Sequence, residues 1–423
     1  METRAGSPIF WFGAGQLFRS LLWCATDLLI AFHLKIRVGL SGWTTGEILF
    51  LSFVFGAAFD LVVATAISRM PQPVRAALRL QAAGGCAAAV SAALLFGPLP
   101  HGTSHALLYL VLTSVLFRAT YGVFDVSQNA LTSLLPQNEP AVGEYVLVRT
   151  TLSSVGRLAA SGLAVLAMRN QADQLADFKL IALIVIPVAI STVRLAQTPK
   201  SSLRTGVVGD GGAWRVLPYA RLVGPLVAIL CNVGLLGLLG RLLPVLPGHG
   251  VASDSAILFA MVCGTVFGPM LLVPLRRLGA TSMSATIGLS IVAAGSGCAL
   301  LVPQSPAVAL MLATAYGAGQ MAMTNIIWER VAKIIYEEAA ASAIRIDVAA
   351  FALLTAFIKL GIAISNVFLG LVLDGLAVGG LTSTLPVVAI LLTGGAGAAL
   401  VLGLTGRPEN RSSTPADVVI STP

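Results

Sequence analysis

Twelve stretches of this chain run for about 20 residues or more with apolar side chains in the majority, and that length constrains the fold more than any motif does. An α-helix rises about 1.5 Å per residue, so roughly 20 apolar residues cross the ~30 Å hydrocarbon layer of a bilayer. The stretches are 9–34, 44–67, 77–98, 105–135, 141–167 and 178–196, then 215–243, 253–274, 280–302, 306–333, 343–372 and 380–405. In hydrocarbon the backbone must bond within its own segment, so each run is expected to be a helix. Composition agrees: 57% of residues are hydrophobic and only 10% charged, against about a quarter charged in soluble domains. The 43 glycines suit helices whose backbones approach closely.

The longest polar interruption, TPKSSLRTGVVGDGGAW from Thr198 to Trp214, divides the runs six and six. The expected organisation is a six-helix bundle over 1–197, a cytoplasmic linker over 198–214, a second bundle over 215–406 and a disordered cytoplasmic tail over 407–423. Lys and Arg set the orientation. With the N-terminus inside, the inner segments hold Arg4, Arg69, Arg75, Arg79, Arg194, Lys200, Arg204, Arg215, Arg276, Arg277, Arg330, Lys333, Arg345, Arg407 and Arg411. The outer loops hold only Lys35, Arg37, Arg169, Lys179 and Arg241. Both termini are therefore expected in the cytoplasm, in a protein of the cell (inner or plasma) membrane. No small-residue cleavage site follows the first run, which is expected to be a retained helix rather than a signal peptide.

Several function classes fall away. The net charge of +8 is mostly this topology signal; no basic run with interleaved aromatics suggests nucleic acid. Cys24, Cys86, Cys231, Cys263 and Cys298 lie in apolar segments without a CxxC pair and read as small core residues. His33, His101, His105 and His249 sit near segment ends, so no metal centre or cofactor is expected. No HExxH or paired catalytic aspartate motif points to an enzyme, and no Walker A loop points to an ATP-driven pump.

Charges within the runs remain. Arg221 is near enough to a membrane surface to snorkel. Arg19, Arg118, Arg149, Arg157, Lys359, Asp27, Asp60 and Asp125 are deeper, and charges at such depth turn toward a bundle interior or a cavity. Counting from the inner ends of the runs places Arg19, Asp60, Asp125 and Arg149 about 10–15 Å deep. Asp27, Arg118, Arg157 and Lys359 lie about 24–27 Å deep. The expectation is two tiers of interhelical charge. In the upper one, Asp27, Arg118 and Arg157 form a structural or gating network. Lys359 finds no acid at its depth in its own half, so its partner is expected across the boundary between bundles. Asn232, Gln320, Asn325 and Asn366 are embedded too, and helix–helix hydrogen bonding explains them as well as ligand contact does. Trp11, Trp23, Tyr121 and Tyr145 read as packing or interfacial anchors before ligand platforms.

These residues bring a resemblance into view. FGAGQLFRS followed by VGLS, FVFGAAFD, TYGVFDVSQNALTSLLP, and VRTTLSSVG with FIKLG resemble the major facilitator superfamily, within it the melibiose permease-like glycoside–pentoside–hexuronide:cation symporters. The likeness spans both halves and is strongest over 10–165. It implies twelve helices in two bundles, with Arg19, Asp125, Arg149 and Lys359 at the substrate and Asp60 at the coupling cation. The chain departs from that pattern where Ser20, Gly56 and Asn129 replace an acid, a carboxylate and a sugar-stacking aromatic.

The function these readings imply is a secondary transporter, a proton-coupled symporter of a small polar organic solute such as a sugar or glycoside. It would work as a monomer by alternating access around a midplane site. An exporter or lysolipid carrier of the same fold, or a non-transporting membrane sensor, is the alternative. Asp125 and Arg149 are expected to interact directly or through ligand. Asp60 is expected beside Arg19 and Arg149 and to carry the proton. Sodium favours several oxygen ligands, and Gly56 and Gly122 supply none.

Overall fold

The computed structural model describes residues 8–99, 103–136, 139–170, 173, 175–198, 213–242, 251–277, 282–302, 305–342, 346–378 and 384–405. Most of the proposed linker and the whole proposed tail lie outside them. Fourteen α-helices occur among the described residues. The first six are α1 (Pro8–Phe32), α2 (Gly42–Arg69), α3 (Pro73–Leu95), α4 (Thr103–Leu134), α5 (Glu139–Arg169) and α6 (Ala176–Ala196). Then come α7 (Ala213–Val216), α8 (Tyr219–Ile229), α9 (Leu238–Leu242), α10 (Val251–Arg277), α11 (Ser282–Leu300), α12 (Pro306–Ser342), α13 (Asp347–Val378) and α14 (Thr384–Thr405).

Eight helical segments among the described residues are long and apolar enough to cross a bilayer. Large apolar side chains such as Leu166, Leu183, Ile186, Ile291, Met311 and Leu400 are exposed, as expected of a surface that faces lipid rather than water. The protein is a multi-pass membrane protein.

Local chemistry explains several helix ends. Ser41 caps α2 by accepting from the Thr44 backbone N–H at 3.0 Å. Pro73 opens α3, where its missing N–H removes no helical bond. Two wider π turns depart from the uninterrupted runs expected from sequence. His33–Arg37 extends α1, and Leu230–Leu236 joins α8 to α9. α12 continues well beyond residue 333, the expected end of its run.

Among the first six helices α3 packs against α4 and α6, α1 against α5 and α6, and α2 against α4. Helices α10, α12, α11 and α14 form a similar set with α8. Between the two sets, α2 lies along α13 and α5 along α10. The α2–α13 contact is antiparallel and continuous. At one end the Asp374 carboxylate accepts from the Gly42 and Trp43 backbone N–H groups, both at 2.8 Å. Next, Gly46 meets Asn366 and Gly370 backbone to backbone. At the other end Val63, Ala64 and Ile67 share a core with Val348 and Ala352. Only glycine allows backbones so close, which is why small residues mark this seam.

Candidate functional site

Midway along the seam, Lys359 Nζ of α13 donates to Asp60 Oδ1 of α2. The lysine is 2% exposed and the aspartate 0%. Two glycines make the room. A Cβ on Gly122 of α4 would lie 2.8 Å from Asp60 Oδ1, and one on Gly56 would lie 3.2 Å from the Arg118 Cβ and 3.6 Å from Lys359 Cδ. Where the resemblance implied a second helix-2 carboxylate, the chain has a glycine, and a lysine side chain passes beside it. Asp60 thus pairs across the boundary, not with Arg19 and Arg149 as the depth count suggested. Depth counted along isolated runs ignores how helices tilt and slide, and here it misplaced Asp60 and Lys359 into different tiers.

A second carboxylate lies close by. Asp125 of α4 is bonded by Arg19 of α1, and Asn129 ties the two together: its Oδ1 accepts from Arg19 at 3.2 Å while its Nδ2 donates to Asp125 at 3.3 Å. Asn129, one turn from Asp125, serves both partners. Of the two forms expected for the Asp125–Arg149 interaction, direct or through ligand, the direct one is not formed. Arg149 of α5 instead stacks over the Trp328 ring of α12, its Cζ 4.9 Å from the centroid. A small cleft lined by Val126, Asn129, Ala130, Val348, Phe351, Ala352 and Thr355 opens between α4 and α13. It borders the Arg19–Asp125–Asn129 group through Asn129 and lies one turn of α13 from Lys359 through Thr355.

The third carboxylate serves two arginines. Asp27 of α1 lies 3.7 Å from Arg118 Nη2 on α4 and 3.9 Å from Arg241 Nε on α9. Arg118 is fully buried among Phe53, Trp23 and Phe117, with its Cζ 3.7 Å from the Phe53 centroid and 4.7 Å from that of Trp23. Aromatic faces stabilise a guanidinium by cation–π attraction, which compensates for lost hydration. Arg241 also donates to Ser365 Oγ of α13 at 2.6 Å. Counted with the outer loops in the sequence, Arg241 is instead buried and joins the two helix sets. Its place inside an apolar run was the signal that could have revealed it.

Arg157, expected with Asp27 and Arg118, stands apart from them. It bonds Ser154 Oγ at 3.2 Å and reaches Met321 Sδ of α12 at 3.3 Å. Asn232 and Gln320 form a helix clasp. Asn232 donates to the Gln320 carbonyl at 3.1 Å and to Thr324 Oγ1 at 2.9 Å, while Gln320 returns a bond to the Asn232 carbonyl at 3.2 Å. Trp23 and Tyr121 pack ring on ring at 4.7 Å, and Tyr145 packs on Phe12. His33 is buried against Asp177 at 3.1 Å, a contact the sequence did not suggest. Arg221 pairs with Glu337 at the exposed end of α8 and α12. No cluster of metal-ligating side chains occurs among the described residues.

Two sets of helices meet at a charged central seam, and solved structures of membrane transporters are similar to this arrangement over nearly the whole chain. A nucleoside transporter aligns at TM-score 0.66 and 14% identity, covering 95% of this chain and 100% of its own. A bacterial homologue of the human lysosomal transporter Spinster, inward-facing and unoccupied, aligns at TM-score 0.67 and 12% identity, covering 94% and 97%. The E. coli fucose:proton symporter aligns at TM-score 0.62 and 13% identity, covering 95% and 99%. No protein-family model and no curated protein matches the sequence. At such identities the likeness establishes the fold.

Proposed function

We propose that the protein is a secondary transporter that moves a small polar organic solute by alternating access and couples it to protons. The observation that carries this reading is the buried Asp60–Lys359 pair, held across the boundary that must open and close. A buried ion pair between two rigid bodies is a latch whose strength depends on the charge of its acid. Protonating Asp60 removes the charge that holds Lys359, and α2 is then free to part from α13. Deprotonation restores the latch. Asp125, held by Arg19 and Asn129 beside the cleft, is placed to exchange a contact with a solute, and Arg149 flanks it on α5. Asp27, bridged by Arg118 and Arg241, is a second cross-boundary contact that acts as a gate. The protein works as a monomer in the cell (inner or plasma) membrane, with both termini and the linker in the cytoplasm.

The fold is shared with a nucleoside transporter and with a symporter that pairs fucose with a proton, which supports a small polar solute and a proton. The test is reconstitution in proteoliposomes with an imposed pH gradient and a panel of labelled sugars, nucleosides and organic acids. One or more solutes should accumulate, accumulation should collapse with a protonophore, and sodium should be dispensable. Asp60→Asn should still bind solute but not concentrate it. Uptake that requires sodium and ignores the pH gradient would overturn the proton assignment.

A further inference from the structure

The charges gathered around the seam do not balance. Arg19, Arg118, Arg149, Arg157, Arg241 and Lys359 face three carboxylates, Asp27, Asp60 and Asp125. Lys359 is matched by Asp60, Arg19 by Asp125, and Asp27 is shared by Arg118 and Arg241. Arg149 and Arg157 of α5 form no ion pair among the described residues. Both reach across to α12, where Arg149 covers Trp328 and Arg157 touches Met321.

That geometry defines a slot. Arg149 and Arg157 are eight residues apart, roughly 12 Å along α5, and their long side chains can close most of that distance. Met321, Asn325 and Trp328 follow one another at i, i+4 and i+7 and so share a face of α12. Asn325 therefore stands between the two arginine contacts. Its Nδ2 is buried without a hydrogen-bond partner, and so is Arg157 Nε. Both orphan atoms are donors, and guanidinium groups only donate. Arg149 and Arg157 are partly rather than fully buried. The slot thus offers hydrogen-bond donors and two positive charges to whatever fills it.

We propose that the transported solute is an anion, a small organic molecule whose carboxylate or phosphate is bound in this slot by Arg149, Arg157 and Asn325. The proposal rests on the transporter reading for its biological meaning, and it deepens that reading by naming the substrate class. A planar fork of N–H donors suits an oxyanion bidentately, and two such forks with an amide donor between them discriminate strongly against a neutral hydroxyl compound. The chemistry also fits proton coupling: a proton on Asp60 travelling with a monoanion makes the transported pair electroneutral.

The test uses the purified full-length chain in detergent at constant ionic strength, with phenylglyoxal as an arginine-specific label read by peptide mass spectrometry. Inorganic phosphate, glucuronate and glucose 6-phosphate are compared with glucose. The oxyanions should slow labelling of Arg149 and Arg157 by about threefold or more at millimolar concentration, with glucose without effect and exposed Arg69 labelled equally throughout. Asn325→Leu, which leaves every charge in place, should raise the anion concentration needed for half protection by roughly tenfold, the worth of one hydrogen bond to a charged group. Glycerol 3-phosphate compared with lysophosphatidate separates a soluble solute from a lipid headgroup, and protection by either supports the oxyanion site. Equal protection by glucose, or none by any oxyanion, overturns the proposal. Flux is measured separately. Anion protection without flux would sink the transporter reading and leave the site standing, whereas flux of neutral solutes alone would do the reverse.

Discussion

Lys359 and Asp60 lie 299 positions apart in the chain and meet as a buried ion pair that joins α13 to α2. Asp60 is the counter-charge that Lys359 was expected to find across the boundary between bundles. Removing one partner strands the other in a low-dielectric seam, where an unpaired charge costs roughly 3–5 kcal/mol. Asp60→Asn or Lys359→Gln alone should therefore lower stability by about that amount, and the double variant should regain much of it. Unfolding in a denaturing detergent series measures all four proteins. Purely additive losses would mean that the charges do not depend on each other.

The hold of Arg19 on Asp125, bridged by Asn129, predicts where coupling is strong in the first helix set. A double-mutant cycle between Arg19→Gln and Asp125→Asn should give an interaction energy of about 1–3 kcal/mol. The cycle between Asp125→Asn and Arg149→Gln should give clearly less in the absence of solute. The reverse order would place Arg149, not Arg19, as the primary partner.

Gly46 and Gly288 make a contrasting pair. A Cβ on Gly46 would lie 2.6 Å from the Asn366 carbonyl oxygen and 3.1 Å from Gly370 Cα, backbone that cannot yield without separating α2 from α13. A Cβ on Gly288 of α11 meets nothing within 4 Å. Gly46→Ala should destabilise by about 1–3 kcal/mol through overpacking. Gly288→Ala should be neutral or stabilise by up to ~1 kcal/mol, because alanine is the better helix former. Thermal unfolding of both variants in detergent is the measurement.

Topology is checked from the linker. The bias of basic residues predicts that an introduced Ser202→Cys, on a background lacking the five native cysteines, resists membrane-impermeant maleimide in intact cells and reacts after permeabilisation. Ready labelling from outside would invert the proposed orientation.

Asp27 should be indispensable to the packing of two arginines. Asp27→Asn leaves Arg118 among Phe53, Trp23 and Phe117 with no carboxylate, and leaves Arg241 to Ser365 alone. A loss of about 3 kcal/mol or more is expected, since two buried charges lose their shared counter-ion. Asp27→Glu should lose much less. An Asp27→Asn protein as stable as the parent would show that the aromatic cage and Ser365 suffice.

The sequence by itself determined the solvent and the helices. Apolar runs of bilayer length leave the backbone no other way to satisfy its hydrogen bonds, so helical segments were legible. Breaks inside a run, such as those that divide 215–243 into α7, α8, a π turn and α9, were not. It also showed many of the residues that carry the interior charge, because a Lys, Arg or Asp in such a run is costly enough to stand out, although Arg241 and Asp177 were missed. What only the tertiary structure decided is who meets whom. Asp125 went to Arg19 rather than Arg149, Asp60 to Lys359 rather than the arginines, and Arg241 moved from an outer loop to a buried contact with Asp27. Pairing depends on the tilt, sliding and rotation of whole helices, which are set by where glycines such as Gly46, Gly56 and Gly122 let backbones and side chains approach. A run of residues records depth along its own axis and nothing of its neighbour's, so a charge's partner is fixed only when the helices pack.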